Sequence, residues 1–227
     1  MITVCLTSCG RFDLLTRTIE SLIKHWDGPK PVALYIYEDS GVSIGQEMTY
    51  LIKDYCRNLC PVTVYADSKN VGQITAVDRL YSLVETPYIF HCEDDWEFYQ
   101  TSFIQSSLDI LQHEPKVMQV WLRDPKDRNG HPASGPIHTH LRTHYQHLSK
   151  LHARGQWRGF SFNPGLRRLS DYQRLFPNGY AEKCTWDRAK PWMAESQIGQ
   201  VYWRNGFVAA TLLRGYVKHL GQNRHIY

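Results

Sequence analysis

The sequence predicts an α/β fold, a mostly parallel sheet flanked by helices with a smaller mixed region behind it. Short apolar, β-branched runs alternate with segments of helical period. They recur about every 25 to 30 residues, the interval of βαβ units. A polar or charged cluster follows each of the first four runs, at the strand ends where open parallel sheets bind ligands.

Ile2 to Leu6 is the first strand, and Phe12, Leu15, Ile19, Leu22, Ile23 and Trp26 mark the buried face of the helix after it. The break DGPKP ends that helix, since proline removes a backbone donor and cannot continue it. Ala33 to Tyr37 reads as the second strand. Ile44, Met48, Leu51, Ile52, Tyr55 and Leu59 mark the second helix, Pro61 to Tyr65 the third strand, and Ile74, Val77, Leu80, Tyr81 and Val84 the third helix. Pro87 to Cys92 is the fourth strand; a helix through Leu108 and Leu111 and a strand at Val117 to Leu122 follow. Beyond Asp124 the pattern loosens into PKDRNGHPASGP and a His-rich tract. Gly159 to Asn163 reads as a short strand, Asp171 to Leu175 and Glu195 to Arg204 as helices, and FVAATLL and YVKHLG as strands. No linker separates the halves, so the second is expected to extend the same sheet and build the other wall of a cleft.

At 227 residues, 42% apolar and 21% charged, the chain is long enough for one domain with a sizeable core. Its 26 Lys and Arg against 22 Asp and Glu give +4, too mild a balance to argue for nucleic acid. Basic residues and histidines crowd residues 126–168, a segment suited to an anionic ligand or acidic lipid headgroups, or equally to a solvated loop. Six cysteines, at 5, 9, 56, 60, 92 and 184, follow no secretory leader, and three lie in predicted strands or at their ends, so reduced and buried thiols are expected. The two C-x3-C pairs, one of them on a single face of the second helix, have the wrong spacing for a zinc ribbon. No apolar stretch approaches the ~18 residues that cross a bilayer, and the N-terminal run lacks a basic leader. These features predict a cytoplasmic chain, with membrane contact, if present, peripheral and at the cytoplasmic face through residues 126–168.

Glu93, Asp94 and Asp95 pose the main chemical question, because three adjacent carboxylates at the end of a buried strand repel one another. A hard divalent cation would cancel that repulsion and hold a diphosphate. The structural alternative is that Asp95 caps a helix starting at Trp96, with Asp94 favoured by its dipole. Arg11 follows the first strand and Asp39 the second, offering a guanidinium to a phosphate and a carboxylate to a base or ribose. Singly, Arg11 is explained as a first-turn surface arginine and Asp39 as a turn residue before Ser40-Gly41. Together, on one edge of one sheet, they argue for a site.

The runs TVCLTSCGRFDLLTRTIESL, IYEDSG, NVGQITAVDRL and YIFHCEDDWEF resemble the nucleotide-binding half of a GT-A fold glycosyltransferase, a Rossmann-like architecture, over residues 2–125. The S-C-G-R and E-D-D patterns are most similar to metal-dependent inverting enzymes such as family 2 transferases and the N-acetylglucosaminyltransferase I type. The resemblance implies a single domain, with a nucleotide-sugar-binding half over about 1–125 and an acceptor-binding, base-supplying half over about 126–227. It also implies that Thr7 and Arg11 contact the donor nucleotide, Asp39 its base or ribose, Asn70 its flank and Asp94 its ribose. Asp95 would bind Mn2+ or Mg2+. His219, in YVKHLGQNRH, matches a C-terminal histidine that often completes the metal or pyrophosphate site, though a polar residue at a strand end accounts for it equally.

Displacement at an anomeric carbon needs a base for the acceptor hydroxyl, worth roughly 10²- to 10⁴-fold. Many such enzymes take it from a helix start in the second half, where PWMAESQIGQVYW places Glu195, with Ser196 in place of the commoner second acid and Asp187 in reserve. Glu195 is equally a first-turn acid stabilised by the helix dipole. The segment GQWRGFSFNPGLRR suits an acceptor sugar, although a core strand with Phe160 and Phe162 facing inward explains it slightly better. Glu93 is expected to bond backbone or a basic side chain, and Trp96 to pack beneath the next helix. The histidines at 138, 140, 144, 147 and 152 read as solvated side chains on an irregular loop. Together with these residues, the resemblance implies a divalent-metal-dependent, inverting transfer from a nucleotide diphosphate sugar to a hydroxyl of a glycan or lipid-linked acceptor. One alternative is a sugar nucleotidyltransferase, against which TSCGRFD offers only one glycine and one arginine to a triphosphate. The other is a sugar-nucleotide or glycan-binding module of the same fold without transfer, which Ser196 keeps open.

Overall fold

The computed structural model describes residues 1–42, 46–128, 131–148, 158–185 and 192–221. Four parallel strands, β1 (Ile2–Ser8), β2 (Ala33–Glu38), β3 (Val62–Ala66) and β4 (Tyr88–Glu93), alternate with α1 (Phe12–His25), α2 (Gln46–Cys56) and α3 (Gln73–Ser82), as the periodicity predicts. The spatial order is β3-β2-β1-β4, so the winding reverses between β1 and β4, where Thr7 lies beside Glu93. Connections leaving these two strands diverge and open a crevice at their carboxyl ends.

Helices cover both faces of this sheet, so the strands are apolar on both sides. Val4, Leu6, Ile36, Phe90 and Cys92 pack with Leu15 and Ile19 of α1, while Cys5, Tyr37 and Ile89 pack with Ile74, Val77 and Tyr81 of α3. Alternate residues along one strand thus serve opposite cores.

The acidic triplet does not start a helix. It leads into β5 (Trp96–Phe98), which pairs antiparallel with the C-terminal β11 (Val217–His219), and α4 (Phe103–His113) follows. Asp95 therefore caps nothing. Hydroxyls of α1 pin this turn: Thr18 Oγ1 donates to Asp94 O at 2.8 Å and accepts the Trp96 N–H at 3.0 Å, and Ser21 Oγ accepts the Phe98 N–H at 3.0 Å. Buried backbone groups that a two-stranded ribbon leaves open are satisfied from the helix instead.

The fifth apolar run departs from expectation. As β6 (Val117–Trp121) it belongs to a second sheet of order β6-β10-β8-β7, with β7 (Ala133–His140), β8 (Thr143–Leu148) and β10 (Val208–Leu212). The His-rich tract is the β7–β8 hairpin, not an irregular loop. His138 stacks on Tyr145 across the strands with ring centroids 5.3 Å apart, and Glu114 accepts hydrogen bonds from Tyr145 and, at 2.8 Å, from His147. His152 lies outside the described residues.

Residues 159–163 form no strand. Ser161 Oγ accepts the Asn163 N–H at 3.2 Å and closes a turn, and Pro164 has no N–H for a ladder. The strand comes later, as β9 (Gly165–Arg168), antiparallel to β4; among the described residues it alone carries the second half into the first sheet. Gly165 permits this, since a Cβ there would sit 2.7 Å from the Val120 carbonyl oxygen of β6. The helices α5 (Leu169–Leu175) and α6 (Trp192–Arg204) lie where the sequence places them. All six cysteines are free, and Cys5, Cys56, Cys60 and Cys92 are buried; α2 ends at Cys56, so Cys60 follows it in a turn rather than on its face. Among the described residues no helix is long and apolar enough to cross a membrane.

Candidate active-site cleft

A cleft of about 500 Å³ opens at the carboxyl ends of β1 and β4. Thr7, Arg11, Asp39, Asn70, Asp94, Asp95, Glu195 and His219 all line it, so the strand ends, the start of α6 and the C-terminal β11 bring these eight candidates to one place. Asp187, the reserve base, lies outside the described residues.

The repulsion within the triplet is answered by Arg11. Asp94, buried, accepts from Arg11 Nη2 and, at 3.3 Å, from Nε; it also accepts from Ser8 Oγ at 3.1 Å and the Cys9 N–H at 3.3 Å. Arg11 Nη1 donates to Asp95 Oδ2 at 2.7 Å, and His219 Nε2 lies 3.2 Å from the same oxygen. Both Asp94 oxygens are thus engaged in seating Arg11. Burial raises the Asp94 pKa despite Arg11, whereas for Asp95 the upward push of burial is outweighed by His219 and Arg11, which hold it below the ordinary range. Gly221 packs against the Asp95 carboxylate, which any Cβ there would overlap.

Among the described residues the Glu93 carboxylate bonds neither backbone nor a basic side chain. It accepts from Gln73 Nε2 and from Trp96 Nε1 at 3.3 Å, and burial, then the charges of Asp95 and Glu195, push its pKa well up. Trp96 packs in the core with its ring centroid 4.9 Å from that of His219 and the Arg123 guanidinium 5.3 Å above it.

On the β2 side, Asp39 accepts the Val71 and Gly72 N–H groups at 2.6 and 2.9 Å, and burial raises its pKa against those bonds. Asn70 Nδ2 donates to Asp39 O at 2.6 Å, tying the loop after β3 to the end of β2. Glu38, fully buried, accepts from Gly10 and Ser40 N–H at 2.7 and 3.0 Å and joins the loops after β1 and β2. Thr7, between Tyr37 of β2 and Glu93 of β4 in the sheet, also lines the cleft.

Glu195, in the first turn of α6, reaches the irregular turn at 161–163. Its Oε1 accepts from Ser161 Oγ at 2.9 Å and the Phe162 N–H at 2.8 Å; among the described residues Oε2 accepts no hydrogen bond. Burial raises its pKa, opposed by those two bonds and by Arg167 and Arg123. Phe160 and Phe162 do lie in the core, but on a turn.

Several cleft residues escaped the sequence reading. Arg123 follows the apolar run of β6 and would have been found by extending to that run the rule of inspecting strand ends. Trp192, 59% exposed at the start of α6, and Gln73, at the start of α3, carried no pattern of their own.

No family profile matches the sequence, and no curated protein matches it. Solved structures do match. The mannosyltransferase PcManGT from Pyrobaculum calidifontis, determined with GDP-Man and Mn2+, aligns with a TM-score of 0.64 at 11% identity over 94% of this chain. GalNAc-T7, determined with UDP, GalNAc and Mn2+, gives 0.67 at 14% identity over 96%, and S. aureus TarS 1–349 gives 0.61 at 15% over 95%. The chain has the GT-A fold. It spans 54%, 43% and 59% of those three chains, about half their length. Within this GT-A sheet the cleft sits at the switch between β1 and β4.

Proposed function

We propose that the protein is an inverting glycosyltransferase that moves a sugar from a nucleotide diphosphate sugar to a hydroxyl of a glycan or lipid-linked acceptor, aided by a divalent cation. One observation carries this reading: Arg11, Asp94, Asp95 and His219 converge in the same cleft that Glu195 enters from α6. The donor class and the cation are supported by PcManGT and GalNAc-T7, whose structures were determined with GDP-Man or UDP and with Mn2+.

The residues fit such a cation. Asp95 Oδ2 and His219 Nε2, 3.2 Å apart, offer carboxylate oxygen and imidazole nitrogen, ligand types that suit manganese. Among the described residues no group of three or more His, Cys, Asp or Glu gathers into a complete cage. That agrees with a site completed by substrate phosphates and water, the usual arrangement for magnesium-type ions. Asp95 and His219 would hold the cation, which when bound supplies a Lewis acid for the departing diphosphate.

The chain's own groups divide the remaining work. Arg11, oriented by Asp94, presents a guanidinium to the diphosphate. Asp39 would meet the base or ribose, and Asn70 would lie beside the nucleotide. Glu195, with Oε1 held by Ser161 and Phe162, keeps Oε2 for the proton of the acceptor hydroxyl, and its burial makes it a stronger base than an exposed carboxylate. The exposed Trp192 ring beside it offers a stacking surface for the acceptor sugar. Asp95→Ala should abolish sugar transfer and donor hydrolysis while leaving the circular dichroism spectrum intact; undiminished turnover by that variant would end the assignment.

A further inference from the structure

We propose that Arg11 stands in the cation's place at Asp95 in the donor-free protein and is exchanged for the divalent cation when donor arrives, passing to the donor diphosphate. The proposal rests on the reading of Asp95 as a cation ligand. Asp95 Oδ2, the oxygen that faces His219, is bonded by Arg11 Nη1 at 2.7 Å. Asp94 separately grips Nη2 and Nε of the same guanidinium. Arg11 can therefore release Asp95 without losing its seat, because the Asp94 fork remains.

Space and charge both favour exchange over joint occupancy. Gly221 packs so closely that a Cβ on it would overlap the Asp95 carboxylate and come within 3.1 Å of Arg11 Nη1, leaving little room beside that oxygen. Arg11 is largely buried, with 14% of its side chain exposed, so its charge is poorly screened from a second cation brought to the same oxygen. A diphosphate removes the conflict by accepting the freed Nη1 and by completing the cation's coordination. Cation and diphosphate then tighten each other by the same factor, since such coupling is reciprocal. Arg11 thereby keeps the donor-free protein from holding the cation tightly.

The test is titration of Mn2+ into the full chain, followed by the electron paramagnetic resonance signal of free Mn2+, first alone and then with GDP or UDP. It compares the wild type with Arg11→Gln and with Arg11→Gln/Asp94→Asn, the double variant removing the guanidinium without stranding a buried carboxylate. Wild type is expected to bind Mn2+ weakly alone and much more tightly with a diphosphate. The variants should bind Mn2+ alone at least about tenfold more tightly, the lower end of what a charge-assisted hydrogen bond contributes, and lose most of the diphosphate enhancement. Unchanged or weaker Mn2+ binding by the folded double variant overturns the exchange; the transferase reading survives that result if wild type still binds Mn2+ with a diphosphate. Failure of wild type to bind Mn2+ with either diphosphate overturns the cation site and the exchange with it.

Discussion

Alanine at position 94 would take from Arg11 the carboxylate that grips two of its nitrogens, and would leave Ser8 Oγ and the Cys9 N–H without their acceptor. Removing one partner of a buried ion pair costs about 3–5 kcal/mol. Arg11 keeps its bond to Asp95 and retains 14% side-chain exposure, which reduces that share to about 2 kcal/mol. Two stranded donors at the low end of their cost add about 1 kcal/mol each. The sum, about 4 kcal/mol, corresponds to roughly 10 °C in Tm for a chain of this size. Urea and thermal unfolding followed by circular dichroism measure it directly. Asp94→Asn, which keeps an acceptor oxygen, should lose about half as much. A loss below about 1 kcal/mol for Asp94→Ala would refute the account of how Arg11 is seated.

Thr18→Val, nearly isosteric, strands the Asp94 carbonyl and the Trp96 N–H; it should cost about 2–3 kcal/mol and speed hydrogen exchange at the Trp96 amide, and an unchanged urea midpoint would contradict the pinning by α1. Ser161→Ala removes a hydrogen bond that favours ionised Glu195, whose pKa burial already raises. A base acts only when deprotonated, so the acid limb of kcat/KM should move to higher pH in this variant. A limb that stays in place would separate Glu195 from the proton transfer.

The parallel sheet was legible because βαβ units write themselves locally: Ile2–Leu6, Ala33–Tyr37 and Pro87–Cys92 each lie next to a helix with its own period. Arg11, Asp39 and the acidic triplet followed from strand polarity alone. The second sheet was not legible, because β6 is as apolar as the first four runs and only its pairing with β10, far along the chain, distinguishes it. The β7–β8 hairpin was hidden by a sequence rich in His and Thr that carries no apolar alternation, its cohesion coming from Tyr145, His147 and Glu114. The turn at 161–163 reads as a strand by its aromatic alternation, and only the three-dimensional structure shows its Phe162 N–H and Ser161 hydroxyl directed at Glu195. Thr18 gives no signal at all on an amphipathic helix, since its role is set by the strand end it meets.

The central claim, that the cleft receives a nucleotide diphosphate sugar with a divalent cation, is tested most directly by thermal-shift measurements with UDP-, GDP-, TDP- and CMP-sugars, each with and without Mn2+. A ligand at 100 times its Kd adds about 2.7 kcal/mol of stability, roughly 5–10 °C for a chain of this length. The account predicts such a shift with at least one nucleotide diphosphate sugar, larger with Mn2+ than without and lost in Asp95→Ala. No shift with any of them, with or without Mn2+, would contradict it.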